Sequence, residues 1–316
     1  MKIISADDLD RLFSYRKVID ALGEAFATGV NAPLRHHHTI ERPSGAEQTL
    51  LLMPAWSRAV TEGHIGVKIV TVTPDNGALS MPAVIGSYIL MDGKTGTPEA
   101  LIDGTKLTHW RTACASALAA RYLAPSDPET LLVIGAGELA PFLARAHADV
   151  REYRRIVVWN RSPANAEKVA AGLKADGFDA AATDALDTAV SQADTITAAT
   201  LSSEPLIKGK LVKPGAHIDL VGAFTPKMRE SDDDCIRRAS IFVDTYEGAT
   251  KEGGDIVIPL ADGIMNRDDI RADLAEMTTG KHKGRSSDDE ITLFKSTGAA
   301  LEDLAAAILA YELAKG

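Results

Sequence analysis

The sequence has neither a long apolar run nor an excess of positive charge. No stretch approaches the roughly 20 apolar residues that cross a bilayer. The net charge of −10 disfavours roles that require neutralising nucleic-acid phosphates. The opening residues, MKIISADDLDRLFSYRK, carry acids where a secretory signal has its apolar core. We therefore expect a cytoplasmic protein that acts on small molecules, with neither a nucleic-acid nor a membrane partner.

Cysteine is scarce, and the familiar metal-binding patterns are missing. Cys114 and Cys235 lie far apart in the chain, which predicts buried or free thiols without a role. The run His36-His37-His38 has no third ligand at a useful spacing, and neither H-E-x-x-H nor C-x-x-C occurs. The sequence predicts no metal site and suggests that these histidines lie on a strand in or near a substrate pocket.

The composition is that of an ordinary globular protein. The 316 residues are 45% hydrophobic and 25% charged, which is enough for two domains. In the N-terminal third, SADDLDRLFSYRKVIDALGEAFATG predicts a short helix, and VIGSYILMDGKTGTPEALIDG predicts a β-hairpin whose turn glycines supply positive φ. The stretch LTHWRTACASALAARYLA predicts a further helix.

Beyond this helix, short apolar strands alternate with helical stretches, which is typical of a parallel, doubly wound sheet. The predicted strands are LLVI at 131–134, RIVVW at 155–159, TITAAT at 195–200, HIDLVG at 217–222 and SIFVD at 240–244. The acids at 232–234 are predicted to cap a helix start. The whole tail, TLFKSTGAALEDLAAAILAYELAKG, is predicted to form a helix with an apolar face.

The stretch LLVIGAGELA has the pattern of a dinucleotide-binding turn. Gly135, Gly137 and Ala140 form G-x-G-x-x-A between a strand and a helix, and a second strand follows about 20 residues later. Gly135 permits the tight turn, Gly137 lets the backbone approach a pyrophosphate, and Ala140 allows the helix to pack closely on the strand. The predicted cofactor contacts in this turn are Gly135, Ala136, Gly137, Glu138 and Leu139.

The end of the next strand, VVWNRSP, bears on the choice of dinucleotide. An acid at this position would bind the 2′-hydroxyl of NAD, whereas this chain has Asn160, Arg161 and Ser162. A guanidinium and two hydrogen-bonding side chains suit a 2′-phosphate. The sequence therefore favours NADPH, with these three residues as cofactor contacts. The alternative is that Arg161 is a solvated surface charge.

The chain resembles the ornithine cyclodeaminase/μ-crystallin family in six successive motifs: GVKIVTV, LTHWRTACASALAARYLA, VIGAGELA, VVWNRS, VGAFTPKMRE and ITLFKSTGAALEDLAAA. The family includes ornithine cyclodeaminases, alanine dehydrogenase, cyclic ketimine reductases and an NADPH-binding crystallin. The resemblance implies an α/β fold with a Rossmann domain at 123–292. It also implies an α+β substrate and dimerisation domain, formed by 1–122 and the returning segment 293–316, and a homodimer.

The resemblance assigns roles to three cationic residues. Lys68 in GVKIV and Arg111 in HWRTA match the family's ligands for the substrate carboxylate, and Arg35 in PLRHHH matches a third cationic contact. A guanidinium grips a planar carboxylate with two hydrogen bonds, and a lysine adds a point charge. Ion pairs with the protein's own acids are the alternative. The further cofactor contacts that the resemblance implies are Thr200, Leu201 and Gly298.

The motif VGAFTPKMRE bears on which of two reactions, deamination or imine reduction, the sequence predicts. The resemblance implies that cyclodeaminases carry a general acid/base aspartate two residues before the proline, where this chain has Phe224, with Ala223 beside it. Asp219 lies earlier, within the strand, and we do not expect it to substitute. Deamination with ring closure needs a positioned acid–base group. Reduction of a protonated cyclic imine needs a held carboxylate and the exclusion of water, so Phe224 is predicted to form an apolar wall of the pocket.

The sequence thus predicts an NADPH-dependent reductase of small cyclic imino acids, with NADH as the second choice of cofactor. The predicted reactions convert Δ1-pyrroline-2-carboxylate to L-proline and Δ1-piperideine-2-carboxylate to L-pipecolate. Lys68 and Arg111 are the predicted catalytic residues, and Arg35 and Phe224 join them in binding the substrate. The alternatives are an ornithine cyclodeaminase, an amino-acid dehydrogenase for open-chain substrates such as alanine, and a non-catalytic NADPH-binding protein.

Overall fold

The computed structural model describes residues 1–79 and 81–315. The chain divides into two compact units: the first comprises Met1–Arg111 with the C-terminal segment from Ala299, and the second comprises Thr112–Gly298. The sequence predicted divisions at 122/123 and 292/293. In the structure the first division falls within a helix, and the second falls in the turn before the last helix.

The first unit is built on a mixed β-sheet. Its strands are β1 (Lys2–Ile4), β2 (Val30–Asn31), β3 (His36–Ile40), β4 (Gln48–Ser57), β5 (His64–Val72), β6 (Val84–Asp92) and β7 (Pro98–Asp103). They lie in the order β1-β7-β6-β5-β4-β2, and β3 also pairs with β4. β6 and β7 form the predicted hairpin. Buried residues alternate along β5, and Lys68 lies on its buried face.

The second unit is built on a parallel sheet. Its strands are β8 (Thr130–Ile134), β9 (Arg155–Trp159), β10 (Ala180–Thr183), β11 (Thr195–Ala198), β12 (His217–Leu220), β13 (Ser240–Val243), β14 (Ile270–Asp273) and β15 (Thr292–Lys295). They lie in the order β10-β9-β8-β11-β12-β15-β13-β14. The chain builds outward from β8 through β10 and then returns to the other side of β8 with β11. Ligands of open α/β sheets bind at such a reversal, outside the carboxyl ends of the strands.

The predicted α/β fold is confirmed, and each predicted strand of the parallel sheet is present. The predicted single helix over the tail is wrong in its first residues, because TLFK forms β15 in the middle of the sheet. All four residues of β15 are buried. Central strands of parallel sheets usually read as continuous apolar runs, and Lys295 interrupts that pattern in the sequence. An ion pair with Asp255 at 3.2 Å accommodates the buried lysine.

The helices cover both sheets. They are α1 (Ala6–Leu12), α2 (Tyr15–Thr28), α3 (Gly104–Leu123), α4 (Ala140–Val150), α5 (Pro163–Ala175), α6 (Leu186–Gln192), α7 (Asp233–Arg238), α8 (Tyr246–Lys251), α9 (Gly254–Ala261), α10 (Leu274–Thr278) and α11 (Ala300–Lys315). Short 3₁₀ helices span Val60–Glu62, Pro74–Leu79, Gly209–Leu211 and Arg267–Asp269. The first predicted helix is in fact α1 and α2, because Phe13 is extended and Ser14 caps a new helix.

Helix α11 lies on β4, β5 and β6 and contacts α1 and α2. Its residues from Ala300 to Ala307 are all buried, so its first half is a core element of the first unit. Asp232 caps α7 by accepting from the N–H of Cys235, as predicted. No helix within the described residues has the length and apolar character needed to cross a membrane.

Candidate active site

The glycine turn between β8 and α4 leaves room for a ligand. Gly135 has a φ of 107°, and a Cβ there would lie 2.6 Å from the carbonyl oxygen of Ala199, so only glycine fits. At Gly137 a Cβ would meet no described atom within 4 Å. Packing therefore does not explain the second glycine, whereas close approach of a ligand to the backbone does.

The N-terminus of α4 is suited to an anion. No side chain among the described residues caps this helix at Leu139. The uncapped N–H groups and the helix dipole favour a phosphate at this position. In the turn, Ala136 and Leu139 are half-buried, Gly137 and Glu138 are exposed, and Ala140 is buried. The geometry therefore fits a dinucleotide pyrophosphate.

The residues after β9 stand at the N-terminus of α5. The side-chain amide of Asn160 donates to the carbonyl oxygen of Ser162 at 3.2 Å. Arg161 is exposed and has no ion pair within the part of the chain that the structure describes. Ser162 is the N-cap residue of α5, but its hydroxyl does not cap the described helix. A guanidinium beside an uncapped helix end suits a phosphate group.

The turns after β11 and β12 pack closely together. A Cβ on Gly222 would lie 2.1 Å from the carbonyl oxygen of Thr200, so the approach requires glycine. Leu201 and Phe224 project from these turns and are 79% and 42% exposed. Large apolar side chains that remain exposed at the carboxyl edge of a parallel sheet suit contact with a ligand.

Buried carboxylates hold the turns at this edge. Glu230 accepts from the N–H and the hydroxyl of Thr200 at 2.6 and 2.8 Å, and from the N–H of Gly222 at 2.7 Å. Asp244 accepts from the N–H of Gly298 at 2.7 Å. Asp219 is also buried, but it bonds with Ser116, His147 and Thr197 inside the unit. These contacts hold the Asp219 carboxylate inside the unit.

In the first unit, Lys68 and Arg111 meet on one carboxylate. Lys68 Nζ lies 2.8 Å from Asp303 Oδ1, and Arg111 Nε lies 3.0 Å from the same oxygen. Glu302 Oε2 lies 2.7 Å from Arg111 Nη1, and all four side chains are buried. The ion pairs that the sequence left as the alternative are therefore present. Burial of these cations does not by itself require a bound carboxylate.

The surroundings of Lys68 lower the pKa of its ammonium group. Burial, reinforced by the charge of Arg111, lowers the pKa of Lys68 to about 8, against the opposing charge of Asp303. The charge of Arg35, which is half-buried between β2 and β3, also lowers this pKa. Among the described residues the ammonium meets two acceptors, Asp303 and, at 3.3 Å, the hydroxyl of Thr108. An ammonium has three N–H donors.

These five charged residues form what we call the cation cluster: Arg35, Lys68, Arg111, Glu302 and Asp303. Three cations and two carboxylates leave one net positive charge. The charges of Arg111 and Arg35 both lower the pKa of Lys68, as repulsion between like charges does. A ligand carboxylate beside these cations would lessen that repulsion.

Sequence reasoning missed the acids Glu230, Glu302 and Asp303. Glu302 and Asp303 have partners far away in the chain: Arg111 and Glu302 are 191 residues apart, and Lys68 and Asp303 are 235. Thr200, a partner of Glu230, is 30 residues away. Glu302 and Asp303 stand in the first turn of α11, where acids are ordinary because they suit the helix dipole. The one signal in the sequence was a pair of acids inside the apolar run LEDLAAA, since acids are rarely buried unless they are paired.

The histidine run and the cysteines lie outside these groups. All residues of β3, including His36, His37 and His38, are exposed. Across the described residues, no group of three or more His, Cys, Asp or Glu side chains is arranged to hold a metal ion. Cys114 and Cys235 are buried, and no disulfide joins them.

The parallel sheet, with its glycine turn at the strand-order reversal, defines the second unit as a Rossmann-type dinucleotide-binding fold. The chain belongs to the ornithine cyclodeaminase/mu-crystallin family, whose model matches residues 2–316. The predicted family is therefore confirmed. The chain is 35% identical to a Δ1-pyrroline-2-carboxylate reductase of Colwellia psychrerythraea, with 97% of each chain covered.

Solved structures of related enzymes also match this chain over nearly its whole length. The Thermococcus litoralis Δ1-pyrroline-2-carboxylate reductase, in complex with NADH and L-proline, matches with a TM-score of 0.94 and 36% identity, covering 100% of this chain and 98% of that one. An archaeal alanine dehydrogenase dimer with bound NAD matches with a TM-score of 0.90 and 30% identity, covering 100% of this chain and 96% of that one. Both units of the present chain thus have counterparts in nicotinamide-dependent enzymes.

Proposed function

We propose that the protein reduces small cyclic imino acids with a nicotinamide cofactor, converting Δ1-pyrroline-2-carboxylate to L-proline. The observation that carries the proposal is the meeting of Lys68 and Arg111 on one buried carboxylate. The relative named for this reaction and the related complex with NADH and L-proline support it. We propose Δ1-piperideine-2-carboxylate, reduced to L-pipecolate, as a second substrate.

The cation cluster holds the substrate carboxylate. Asp303 and Glu302 fix the plane of the Arg111 guanidinium through contacts of 3.0 and 2.7 Å. A guanidinium held in this way loses little freedom when it binds a planar anion. Arg35 contributes a third positive charge, which also acts on Lys68.

Lys68 governs the proton on the ring nitrogen. When bound, the reduced nicotinamide supplies the hydride that C2 of the imine accepts, and it is left oxidised. The nitrogen must carry a proton as the C=N bond becomes CH–NH. The Lys68 ammonium, with a pKa of about 8, is charged at neutral pH and acidic enough to donate a hydrogen bond or a proton to this nitrogen. Asp303 holds its Nζ at 2.8 Å.

The cofactor we propose is NADPH, and NADH is the second choice. Gly137 and the uncapped start of α4 suit the pyrophosphate that both share. Arg161 and Ser162, beside the start of α5, suit the 2′-phosphate that only NADPH carries. Thr200, Leu201 and Gly298 complete the proposed contacts at the carboxyl edge.

Phe224 favours reduction over deamination. Its side chain cannot transfer a proton, and the nearby Asp219 is buried in other hydrogen bonds. Cyclodeamination of ornithine requires acid–base groups that contribute about 10²–10⁴-fold to the rate. A partly exposed aromatic ring instead offers an apolar surface to a small ring.

We propose that the first unit is the substrate and dimerisation domain of a homodimer. The related archaeal alanine dehydrogenase is a dimer. One end of the mixed sheet, where Ile40 pairs with Gln48 and Val72 with Val84, carries exposed large apolar side chains. They are Ile40, Leu79, Met81, Val84 and Ile85. Light scattering should give a dimer for the wild type and a monomer for Ile85→Asp. A monomeric wild type contradicts this assignment.

Steady-state assays with each imine and each dinucleotide test the function. We expect consumption of NADPH with Δ1-pyrroline-2-carboxylate, formation of L-proline, and no release of ammonia from L-ornithine. NADPH should exceed NADH in kcat/KM by about tenfold or more, because one charge-assisted pair is gained. Absence of turnover with both imines, or ammonia release from ornithine, would contradict the proposal.

A further inference from the structure

Glu230 joins two turns that belong to different strands. Its Oε1 accepts from the N–H and hydroxyl of Thr200 after β11, at 2.6 and 2.8 Å. Its Oε2 accepts from the N–H groups of Gly222 and Ala223 after β12, at 2.7 and 3.3 Å. Glu230 is completely buried. One carboxylate thus sets the position of the residues that precede Leu201 and Phe224.

Glu230 is itself fixed by buried charges. Asp255 on α9 accepts from the N–H groups of Glu230 and Ser231, both at 2.9 Å, through Oδ1. Its Oδ2 pairs with Lys295 Nζ of β15 at 3.2 Å. Glu230, Asp255 and Lys295 have no exposed surface. An arrangement of this kind holds a carboxylate in one geometry.

We propose that Glu230 is a positioning residue that aligns the turns after β11 and β12 with the nicotinamide half of the dinucleotide. The inference rests on the proposed function. In this topology the strands beyond the reversal serve the second mononucleotide of the cofactor, and β11 and β12 are the first of them. Glu230 acts through the backbone of Thr200 and Gly222, so the position of Phe224 depends on it.

The ionised carboxylate is the form that holds the turns, since all four contacts are donated to it. Burial raises the pKa of Glu230 to about 7, while Lys295 lowers it and Asp255 raises it further; the hydrogen bonds from Thr200 also lower it. A proton on either oxygen removes an acceptor. Activity that depends on Glu230 should therefore rise as the pH passes upward through about 7.

The test compares Glu230→Gln with Asp232→Asn. Glutamine keeps the size of the side chain but has an NH₂ group where Thr200 or Gly222 needs an acceptor. Asp232 is a nearby carboxylate that caps α7 and accepts from the N–H of Gly209 at 2.8 Å, so its side chain serves α7 and the neighbouring 3₁₀ helix. Two ligands are used: NADPH, and 2′-phospho-ADP-ribose, which lacks the nicotinamide.

We expect Glu230→Gln to raise the Kd of NADPH about tenfold and to lower kcat by about 10–100-fold, because a displaced ring loses its reactive alignment. The Kd of 2′-phospho-ADP-ribose should stay unchanged, and the rise of kcat with pH near 7 should disappear. Asp232→Asn should lower Tm and leave both Kd values and the pH profile as in the wild type.

Thr200→Val provides a second variant if Glu230→Gln does not fold. It removes one contact of 2.8 Å while keeping the shape, so we expect a fall in kcat of about threefold or more. Equal weakening of both ligands by Glu230→Gln, or an unchanged kcat in both variants, would overturn the inference alone. A wild type that binds neither ligand would overturn the proposed function and this inference together.

Discussion

The two units bury charge in different ways. In the first unit side chains meet side chains: Lys68 and Arg111 share Asp303, at 2.8 and 3.0 Å. In the second unit buried carboxylates meet the backbone: Glu230 and Asp244 accept from the N–H groups of turns at the carboxyl edge of the sheet. The first network pairs opposite charges between side chains, and the second fixes the course of the chain.

Because of this difference, we expect the two units to respond differently to a bound ligand. Ion pairs between side chains change their balance when a further charge arrives, because each charge acts on all the others. A carboxylate that accepts from several backbone N–H groups changes little unless it is protonated. We therefore expect the cation cluster to govern substrate chemistry and the carboxyl edge to govern cofactor geometry.

Burial shifts the pKa values of Lys68 and Glu230 in opposite directions. It lowers the pKa of Lys68 to about 8 and raises the pKa of Glu230 to about 7, since it favours the neutral form of each. The proposed mechanism needs a charged Lys68 and a charged Glu230. Both conditions hold between the two values, so kcat should be greatest between about pH 7 and pH 8.

The largest effect is expected from Lys68→Met. The change removes the proton donor and one positive charge of the cation cluster, and kcat for Δ1-pyrroline-2-carboxylate should fall by about 10²–10⁴-fold. Lys106→Met is the matched control, because Lys106 pairs with Asp10 near the surface and should leave kcat unchanged. A Lys68→Met enzyme with kcat within about twofold of the wild type would break the assignment of chemistry to the first unit.

A smaller effect, displacement of the pH profile, is expected from Asp303→Asn. The charge of Asp303 raises the pKa of Lys68, so its loss should bring that pKa below about 8. Activity needs protonated Lys68, and the fall of kcat at alkaline pH should therefore begin at a lower pH than in the wild type. If the pKa of Lys68 falls by about 1, kcat on the alkaline limb should be about tenfold lower at the same pH.

Glu302→Gln provides the control for Asp303→Asn. Glu302 pairs with Arg111 rather than with Lys68. Its variant should raise the KM of the imine while the alkaline limb of the kcat profile stays in place. If Asp303→Asn and Glu302→Gln move the limb equally, the effect is a general one of charge, and Asp303 has no special relation to Lys68.

The two networks also differ in how far the sequence predicts them. Gly135, Gly137 and Ala140 lie within one short segment, and each has a backbone role that the spacing alone reveals. The parallel sheet followed from the alternation of apolar strands and helices. Local patterns of this kind carry their own geometry, so the dinucleotide-binding fold was accessible before the structure.

The partners of the buried charges were not accessible. Motif resemblance pointed to Lys68 and Arg111, but pairing them with Asp303 requires knowing that α11 packs on β5. The contact of Glu230 with Thr200 depends on the fold, which brings the turns after β11 and β12 together. Contacts between distant segments depend on tertiary packing, which neither periodicity nor spacing encodes.

Arg161→Ala tests the proposed contact between Arg161 and the 2′-phosphate of NADPH. The loss of one charge-assisted contact should reduce kcat/KM for NADPH by about tenfold, while kcat/KM for NADH, which lacks the 2′-phosphate, stays within about twofold. Lys168→Ala on α5 is a control of equal charge and should change neither value. An equal loss of kcat/KM with both dinucleotides would mean that Arg161 acts only through the overall electrostatic field of the protein.

The smallest effect is expected from Phe224→Ala. Phe224 is 42% exposed, so its ring contributes contact surface without anchoring the turn, which Glu230 holds through the backbone. The KM of Δ1-pyrroline-2-carboxylate should rise by about fivefold through lost apolar contact, with kcat within about twofold. Phe178→Ala is the control. Phe178 is half-buried against a hydrophobic cluster of the second unit, so its loss should lower Tm and leave KM unchanged. A fall in kcat of about 10²-fold in Phe224→Ala would instead mean that the ring helps to align the reacting groups. The division between a first unit that carries the chemistry and a second unit that positions the cofactor would then fail.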